Sequence, residues 1–388
     1  MLKGMGAKIL ISPVWIFRIV RHHIFSWYLN RRATRDVNIE RTREEEIAIG
    51  VLPKGLGVPL TAEEKASAIA LWGKDLTSFK EFEVYKRYRG FDPRFLPFHL
   101  YLPLISRRLN NYRYAKILEH KGLLGRLTHG SIKFPKCVVR CINGEYYSDD
   151  MVNISYEDAI AACNKEASLV FKLAEDSSGG HGVKLLSKSK LSGTVFIDEV
   201  KKLLQNTKND FVVQECMRQH EVMEKFNPSS INTLRIQSLY LNGRFSIGAI
   251  VLRMGTPGSF VDNLCSGGIL VGVDRYGNLG EVGYNARLEL FKRHGEITFK
   301  GQRIDIVPEI LKMIEEDHTH QFSICKFIGW DIMIDENNMP ICLEVNTSQN
   351  GVLPFQICCG PVFGERTQEV IDYCKDKHFH YGRAIGSY

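Results

Sequence analysis

Several common sequence signals are missing from this 388-residue chain. Its ten cysteines form no C-x-x-C pair, which argues against a disulfide framework or a metal site and favours buried thiols in a reducing compartment. No stretch approaches the roughly 20 apolar residues that cross a bilayer, and no signal-peptide pattern opens the chain. We find neither an internal repeat nor a low-complexity segment. These absences predict a globular protein of the cytoplasm.

Acidic side chains are absent from residues 1–35, here called the basic arm, which contain seven lysines and arginines. Without the arm, 44 of the 51 basic residues remain against 44 acidic ones, so the body is neutral. Because a nucleic-acid enzyme needs a basic groove in its body, we expect no nucleic-acid partner. Trp15 and Trp27 lie among the arm's arginines, and two alternatives remain open. The arm is either a helix on the inner face of a membrane or a helix packed on the body.

Local patterns divide the rest of the chain. Thr61 and Glu64 form a capping-box pattern that predicts a helix from about residue 62. Asn242-Gly243 predicts a tight hairpin, and a helix is expected over 365–375. A further helix from Tyr112 is expected to end at Gly122. The predicted segments are the arm at 1–35, a helical region at 36–109, and β-rich subdomains at 110–210 and 211–388.

Gly179, Gly180 and Gly182 separate two strand-like runs, 169–174 and 183–186. Glycine lets backbone N–H groups approach phosphate oxygens, and Lys172 of the first run can reach the same oxygens. A strand follows the glycines where a P-loop or a dinucleotide-binding turn would be followed by a helix, so both of those motifs are excluded. The segment is either a hairpin that covers nucleotide phosphates or an ordinary glycine-rich hairpin.

The strand-like run 211–217 ends in polar residues. An extended segment of this kind can bind adenine through its backbone N–H and C=O groups, and the Glu221 carboxylate can accept the ribose hydroxyls. An ordinary edge strand is the alternative.

Residues 328–335 and 340–346 predict two strands around a polar turn. Pairing Asp335 with Pro340 also pairs Asp331 with Glu344, and the two-residue period adds Asn346 to the same face. Two facing carboxylates repel unless a cation lies between them, and Mg²⁺ prefers hard oxygen ligands together with nucleotide phosphates. A solvent-facing acidic hairpin is the alternative, which the apolar neighbours on both strands disfavour.

These motifs, in this order, resemble the ATP-grasp superfamily. The segments 230–236 and 253–268 look like the subgroup of sugar-transfer associated ATP-grasp proteins, and the resemblance covers about residues 110–375. It implies an α+β fold of the ATP-grasp type, in which two β-rich subdomains sandwich ATP, preceded here by a helical region. Gln214 departs from the glutamate of many relatives, and the helices before residue 105 have no counterpart in the common core.

The resemblance also implies a set of site residues. The candidate ATP-binding residues are Lys172, Ser178, Gly179, Gly180, Gly182, Lys184, Gln214, Glu215, Cys216, Met217 and Glu221. The candidate metal ligands for Mg²⁺ are Asp331, Glu344 and Asn346, and the candidate catalytic residues are Asn232, Arg235 and Arg253. The candidate substrate-binding residues are Ser259, Asp262, Asn263, Gly267 and Gly268, in a loop expected to exclude water.

The activity that the resemblance implies is an ATP-dependent carboxylate-amine ligase that forms an acyl phosphate. Its substrates would be a uronic-acid sugar of a surface polysaccharide and an amino acid. Two other classes remain open: a kinase that phosphorylates a sugar hydroxyl, and a nucleotide-binding protein without turnover.

Overall fold

Short helices open the part of the chain that the structure describes. The structure is a computed structural model and describes residues 55–73, 76–175, 182–258, 267–348 and 350–376. The basic arm therefore lies outside the described residues. Helix α1 (Ala62–Trp72) begins at the predicted capping box, where Thr61 Oγ1 accepts from Glu64 N at 3.2 Å and Glu64 Oε2 accepts from Thr61 N at 2.8 Å. The following helices are α2 (Lys80–Arg89), α3 (Phe98–Leu100), a π-helical turn (Tyr101–Ser106) and α4 (Arg107–Leu109).

Two helices lead from this region to the sheets, α5 (Tyr112–Glu119) and α6 (Lys121–Leu127). The expectation that Gly122 ends the helix that starts at Tyr112 is wrong. His120 interrupts it with an extended backbone, ψ 104°, and serves as the N-cap of α6, which runs through Gly122. None of the described helices is long and apolar enough to cross a membrane.

The smaller sheet has six antiparallel strands in the order β3-β2-β1-β6-β4-β5. Its strands are β1 (Cys137–Ile142), β2 (Glu145–Tyr147), β3 (Asn153–Ile154), β4 (Ser168–Leu173), β5 (Lys184–Ser187) and β6 (Phe211–Glu215), with helices α7 (Tyr156–Lys165) and α8 (Gly193–Asn206). Phe171, Phe196 and Phe211 share its core. Since β6 is a central strand, the chain leaves this sheet after Glu215, beyond the boundary predicted at 210/211.

The larger sheet has seven antiparallel strands in the order β11-β10-β9-β8-β7-β14-β15. They are β7 (Thr233–Leu241), β8 (Arg244–Met254), β9 (Ile269–Val273), β10 (Leu279–Tyr284), β11 (Leu290–Phe291), β14 (Phe327–Ile334) and β15 (Pro340–Asn346). β12 (Arg293–His294) and β13 (Ile297–Thr298) form a separate pair. The predicted Asn242-Gly243 turn joins β7 to β8, and both residues have positive φ, 51° and 72°.

Helices cover both faces of the larger sheet. The four are α9 (Glu221–Glu224), α10 (Val307–His320), α11 (Leu353–Cys359) and α12 (Thr367–Asp376). α10 packs on the face that contains Trp330, and α11 packs on the other face through Phe355 against Val251. The last helix starts at Thr367 because the first turn of the predicted helix is a 3-10 turn, Gly364–Arg366. The predicted mixture of helices and antiparallel sheets is thus confirmed.

Candidate functional site

A row of charged side chains crosses three neighbouring strands of the larger sheet. Arg235 on β7 pairs with Asp331 on β14, and Asp331 pairs with Glu344 on β15. The predicted pairing of Asp331 with Glu344 is therefore present. Directly paired residues of antiparallel strands project from the same face, so the three side chains lie next to one another.

The register nearer the turn differs from the prediction. The pairing of Asp335 with Pro340 is wrong, because a bulge between the Asp331 and Ile332 pairs shifts the register and Ile334 pairs with Pro340. The Asp335 carboxylate instead accepts from Asn337 N at 3.0 Å and from Met339 N at 2.8 Å, and so it caps the turn. The bulge adds one residue to β15 between the turn and Glu344. This extra residue brings the strands into the predicted register, so Asp331 and Glu344 are paired as predicted.

Two arginines hold the buried Asp331 carboxylate. Arg235 binds it through two nitrogens: Nη2 lies 2.8 Å from Oδ2, and Nε contacts Oδ1. Arg253 Nη1 lies 3.0 Å from the same Oδ2. Burial raises the pKa of Asp331, and the two guanidinium groups oppose that shift. The Arg235 guanidinium also lies 5.9 Å from the ring centroid of Phe355, which places α11 beside the row.

Lys121 supplies the cation for Glu344. Its Nζ lies 3.0 Å from Glu344 Oε2, and its side chain is only 10% exposed. Burial works against ionisation of Glu344, but the charge of Lys121, a hydrogen bond with Asp331 and the charge of Arg235 outweigh it and hold the pKa of this carboxyl well below its usual range. Sequence reasoning missed Lys121, because it opens α6 and no local pattern links it to a strand near the end of the chain.

Asp331, Glu344 and Asn346 offer oxygen donors of the kind that Mg²⁺ prefers. Glu344 is 31% exposed at its side chain, and the Asn346 amide lies beside it on the same strand, 3.4 Å from Gly329 O. Three basic side chains already offset the two carboxylates, so their repulsion does not by itself require a metal ion. The described residues contain no cluster of three His, Cys, Asp or Glu side chains that could hold a metal. A cation here would need phosphate and water oxygens as further ligands, and the assignment of Mg²⁺ to Asp331, Glu344 and Asn346 stays a prediction.

Lys172 lies on the smaller sheet, where β4 pairs with β6 and Lys172 opposes Val212. Val212 belongs to β6, the strand that leads into the predicted adenine segment. This position suits a phosphate-binding lysine next to the segment predicted to bind adenine.

The predicted glycine-rich loop is only partly described. Ser178, Gly179 and Gly180 lie outside the described residues. Gly182 has a φ of 76°, which favours glycine, and Lys184 begins β5 with an exposed side chain.

The predicted adenine segment begins in the last two residues of β6 and continues beyond it. Gln214 is buried, its Nε2 lies 3.6 Å from Cys137 Sγ, and its Oε1 has no hydrogen-bond partner among the described residues. Glu215 is held to Lys136, whose N donates to Glu215 Oε1 at 3.1 Å. Cys216 and Met217 are half-buried, and Glu221 is exposed at the start of α9. The Glu215 side chain is thus occupied within the protein.

Asn232 lies outside the charged row. It is fully buried, and its Nδ2 donates to Met223 O and Asn227 O, both at 2.9 Å, and to Gln219 Oε1 at 3.1 Å. The side chain therefore holds the 219–227 segment in place. Its predicted catalytic role has no support from these contacts.

The two ends of the predicted substrate loop meet. Gly255 O accepts from His294 Nε2 at 2.8 Å and from Asn227 Nδ2 at 3.0 Å. At the other end Gly267 has a φ of 93°, and a Cβ there would lie 3.0 Å from Thr256 Cγ2. Gly268 is buried. Ser259, Asp262 and Asn263 lie outside the described residues, and sequence reasoning missed the anchoring His294.

The sequence of this chain matches the model of a known protein family. A family model described as sugar-transfer associated ATP-grasp matches residues 104–372. That match covers well over half of the chain, so the protein belongs to the sugar-transfer associated ATP-grasp family. No curated protein sequence matches it significantly.

The solved structures that resemble this chain include ligases and a synthetase, and their sequence identity to this chain is low. D-alanyl-alanine synthetase A from Vibrio cholerae is 12% identical, with a TM-score of 0.40 over 67% of this chain and 65% of that chain. L-amino acid ligase from Bacillus licheniformis is 13% identical, with a TM-score of 0.33 over 72% and 49%. Phosphoribosylamine–glycine ligase from Thermotoga maritima is 14% identical, with a TM-score of 0.37 over 69% and 55%. This chain thus spans less than two-thirds of each of these proteins.

Proposed function

We propose that the protein is an ATP-dependent carboxylate-amine ligase. The observation that carries the proposal is the row Arg235, Asp331 and Glu344, joined by Arg253 and Lys121, in a chain of the ATP-grasp family. Three cations around two carboxylates suit a site where phosphate charge is bound and transferred. Lys172 supports the same interpretation from the smaller sheet.

The reaction has two steps. An oxygen of the substrate carboxylate attacks the γ-phosphorus of ATP, the bond to the β-γ bridging oxygen breaks, and ADP leaves. The nitrogen of an amine then attacks the carbonyl carbon of the acyl phosphate, phosphate leaves with the bonding electrons, and the amine loses a proton. Mg²⁺ bound at Asp331, Glu344 and Asn346 would offset charge on the phosphate oxygens. Arg253, whose side chain is 15% exposed, would hold the carboxylate or the transferred phosphoryl group.

The finer proposal concerns the substrates. We infer a uronic-acid sugar as the carboxylate and an amino acid as the amine, which agrees with the sugar-transfer description of the family. Gly255 at the start of the loop accepts a hydrogen bond from His294, and Gly267 at its end lies close to Thr256. We propose that the loop excludes water, to which an acyl phosphate is sensitive. Peripheral contact of the basic arm with a membrane completes the proposal.

The test is ADP release from Mg-ATP with uronic-acid sugars, with and without pooled amino acids. We expect release that requires both the carboxylate and the amine, together with an amide product. Release that needs no amine and leaves phosphate on the sugar would identify a kinase instead. Glu344→Gln should abolish the signal, whereas Glu336→Gln, an exposed carboxylate in the same hairpin, should retain it.

A further inference from the structure

The segment that follows the candidate metal ligand Asn346 leaves the sheet and bends. β15, the outermost strand of the larger sheet, ends at Asn346, and Thr347 and Ser348 form the bend. Thr347 is fully buried. Buried backbone N–H and C=O groups that have left a sheet need other hydrogen-bond partners. The partners of these two residues therefore determine how the end of β15 is held.

One carboxylate at the end of α5 binds both N–H groups of the bend. Glu119 Oε1 accepts from Thr347 N at 2.8 Å and from Ser348 N at 2.6 Å. The Ser348 hydroxyl donates to the same carboxylate, 2.6 Å from Oε2, and Lys116 Nζ lies 3.6 Å from that oxygen. Hydrogen bonds to an ionised acceptor are about twice as strong as those between neutral groups. Glu119 therefore holds the bend through three hydrogen bonds of the stronger kind.

The two carbonyl groups of the bend are bound as well. Asn110 Nδ2 donates to Thr347 O, and Ser106 Oγ donates to Ser348 O at 2.9 Å. Each backbone N–H and C=O group of residues 347 and 348 is thus bound by a side chain from residues 106–119. The bend is fixed by helices that precede both sheets in the sequence.

The junction of α5 and α6 also binds the other candidate metal ligand of β15. Lys121 follows Glu119 by two residues, and its Nζ lies 3.0 Å from Glu344 Oε2. Its backbone N donates to Ala174 O at 3.0 Å, just after the end of β4. The junction thus contacts β15 at Glu344 and directly beyond Asn346, and it contacts the strand that leads to the predicted glycine-rich loop.

We propose that Glu119 is a positioning residue for the metal-binding end of β15. By holding residues 347–348 it fixes the position of Asn346, the residue before them, so that the amide oxygen is in place before a metal ion binds. Residues that orient the direct ligands typically change metal affinity by about 10- to 100-fold. The inference rests on the proposed Mg²⁺ site, and it adds to that site a residue that acts through the bend and is not itself a ligand.

The test compares the ADP affinity of the full chain in Mg²⁺ and in EDTA by isothermal titration. The quantity measured is the gain in ADP affinity that Mg²⁺ produces, which does not depend on turnover. Glu119→Gln keeps the size of the side chain but removes its charge and places an NH₂ group among N–H donors. We expect it to lower the gain about tenfold or more and to leave ADP affinity in EDTA unchanged. An unchanged gain in a folded Glu119→Gln protein would overturn the proposal.

Glu64→Gln is the matched control. The Glu64 carboxylate also belongs to a helix, accepts from a backbone N–H, that of Thr61 at 2.8 Å, and pairs with a lysine, Lys86, at 2.7 Å. Its side chain is 20% exposed, against 16% for Glu119. Glu64→Gln should leave the gain at the wild-type value. If both variants lost the gain equally, reduced stability would be the cause and the positioning role would be wrong.

Glu344→Gln separates this inference from the proposed metal site. It removes a proposed ligand and should abolish the gain in ADP affinity. If Glu344→Gln kept the gain, the metal site would be wrong and the role of Glu119 with it. If Glu344→Gln lost the gain and Glu119→Gln kept it, the metal site would stand and only the positioning role would be wrong.

Amide hydrogen exchange of the unmutated chain in EDTA does not depend on whether a variant folds. Both N–H groups of the bend are bound to Glu119 without any metal ion. The amides of Thr347 and Ser348 should therefore exchange about tenfold or more slowly than in the urea-unfolded chain. Exchange at the rate of the unfolded chain would show that the bend is not held, and would overturn the proposal.

Discussion

The two carboxylates of the charged row are neutralised by different basic side chains. Asp331 is buried and bound by two arginines of the same sheet, whereas Glu344 is partly exposed and bound by Lys121 from a helix. Glu344 is therefore the more accessible of the two proposed metal ligands, and we expect its ion pair to open when phosphate oxygens reach Lys121. Asp331 serves to fix the positions of both guanidinium groups.

Glu344→Gln tests the accessible carboxylate. We expect turnover to fall about 100-fold or more, because a charged metal ligand is lost. In metal-free buffer at pH 7 the variant should also lose about 1 kcal/mol of stability, because Lys121 loses its partner. The pKa of Glu344 is lowered in the folded state, so its stabilising effect is present at neutral pH and disappears as the pH falls below the ordinary glutamate value of 4.5.

Thermal melts in EDTA at pH 7 and pH 3, with turnover assays in Mg-ATP, check both expectations. Glu336→Gln is the matched control in the same hairpin. Wild-type turnover by Glu344→Gln would rule out the proposed metal ligand.

Lys172→Ala tests the lysine of the smaller sheet. We expect ATP affinity to fall about tenfold or more, because a charge close to the phosphates is removed while the apolar strand remains. Isothermal titration with ATP measures the effect, and Lys201→Ala on the surface of α8 is the control. If the Lys172→Ala protein were folded and its ATP affinity unchanged, Lys172 would not be part of the ATP-binding site.

At the scale of elements, a buried hydrogen-bond chain ties α10 to the larger sheet. His318 Nε2 donates to Cys325 O at 2.9 Å, so the neutral ring accepts at Nδ1 from the Ser238 hydroxyl at 2.7 Å. Ser238 Oγ in turn accepts from Trp330 Nε1 at 2.8 Å. Every donor in the chain is matched only if His318 is neutral, and burial lowers its pKa to about 4.

This chain predicts acid sensitivity. The unfolded protein protonates His318 near pH 6.5 and the folded protein only near pH 4, so stability is full above pH 6.5 and declines as the pH falls through this window. The decline from this one residue should amount to roughly 3 kcal/mol by pH 4. Urea unfolding of the wild type and His318→Gln at pH 7.5 and pH 4.5 measures it, with the exposed His320→Gln as control. If His318→Gln and the wild type lost stability equally, His318 would not be the source.

The elements also show what the sequence could and could not predict. Strand period and turn residues were sufficient for the β7–β8 hairpin, because it depends on neighbours in the chain. The pairing of Asp331 with Glu344 was predicted from a register that is wrong at the turn, and it is present because the bulge shifts the register by one residue. Lys121 and His294 were missed because their partners lie far away in sequence. The bulge in β15 was missed since no glycine marks it in the sequence.

At the scale of the whole molecule, the two chain segments that connect the sheets both hydrogen-bond to the β14–β15 hairpin. This hairpin contains Asp331 and Glu344. Cys342 N donates to Lys133 O at 2.8 Å on one side, and His220 N donates to Ile334 O at 2.9 Å on the other. Asp317 of α10 adds a third attachment, accepting from Ser131 N at 2.7 Å. The segments on either side of the smaller sheet are thus bound to the β14–β15 hairpin and to α10, which join the two halves of the proposed site.

Deletion of residues 1–35 tests the proposed role of the basic arm. We expect ATP-dependent chemistry to remain measurable in solution, because every residue of the proposed site lies after the arm in the sequence. Binding to anionic vesicles at low salt should weaken, since exposed charges attract anionic lipids and salt screens them. Co-sedimentation with vesicles measures the change. An unfolded truncation, together with a full chain that never binds vesicles, would show instead that the arm packs on the body.

The most direct measurement of the central claim uses a carboxylate labelled with oxygen-18. Once the substrate pair is found, the labelled carboxylate, Mg-ATP and the amine are incubated with the protein, and the phosphate released is analysed by mass spectrometry. Activation through an acyl phosphate transfers one labelled oxygen from the carboxylate to phosphate, so the account predicts singly labelled phosphate in a one-to-one ratio with amide. Unlabelled phosphate, or phosphate that remains bound to the sugar, would contradict it.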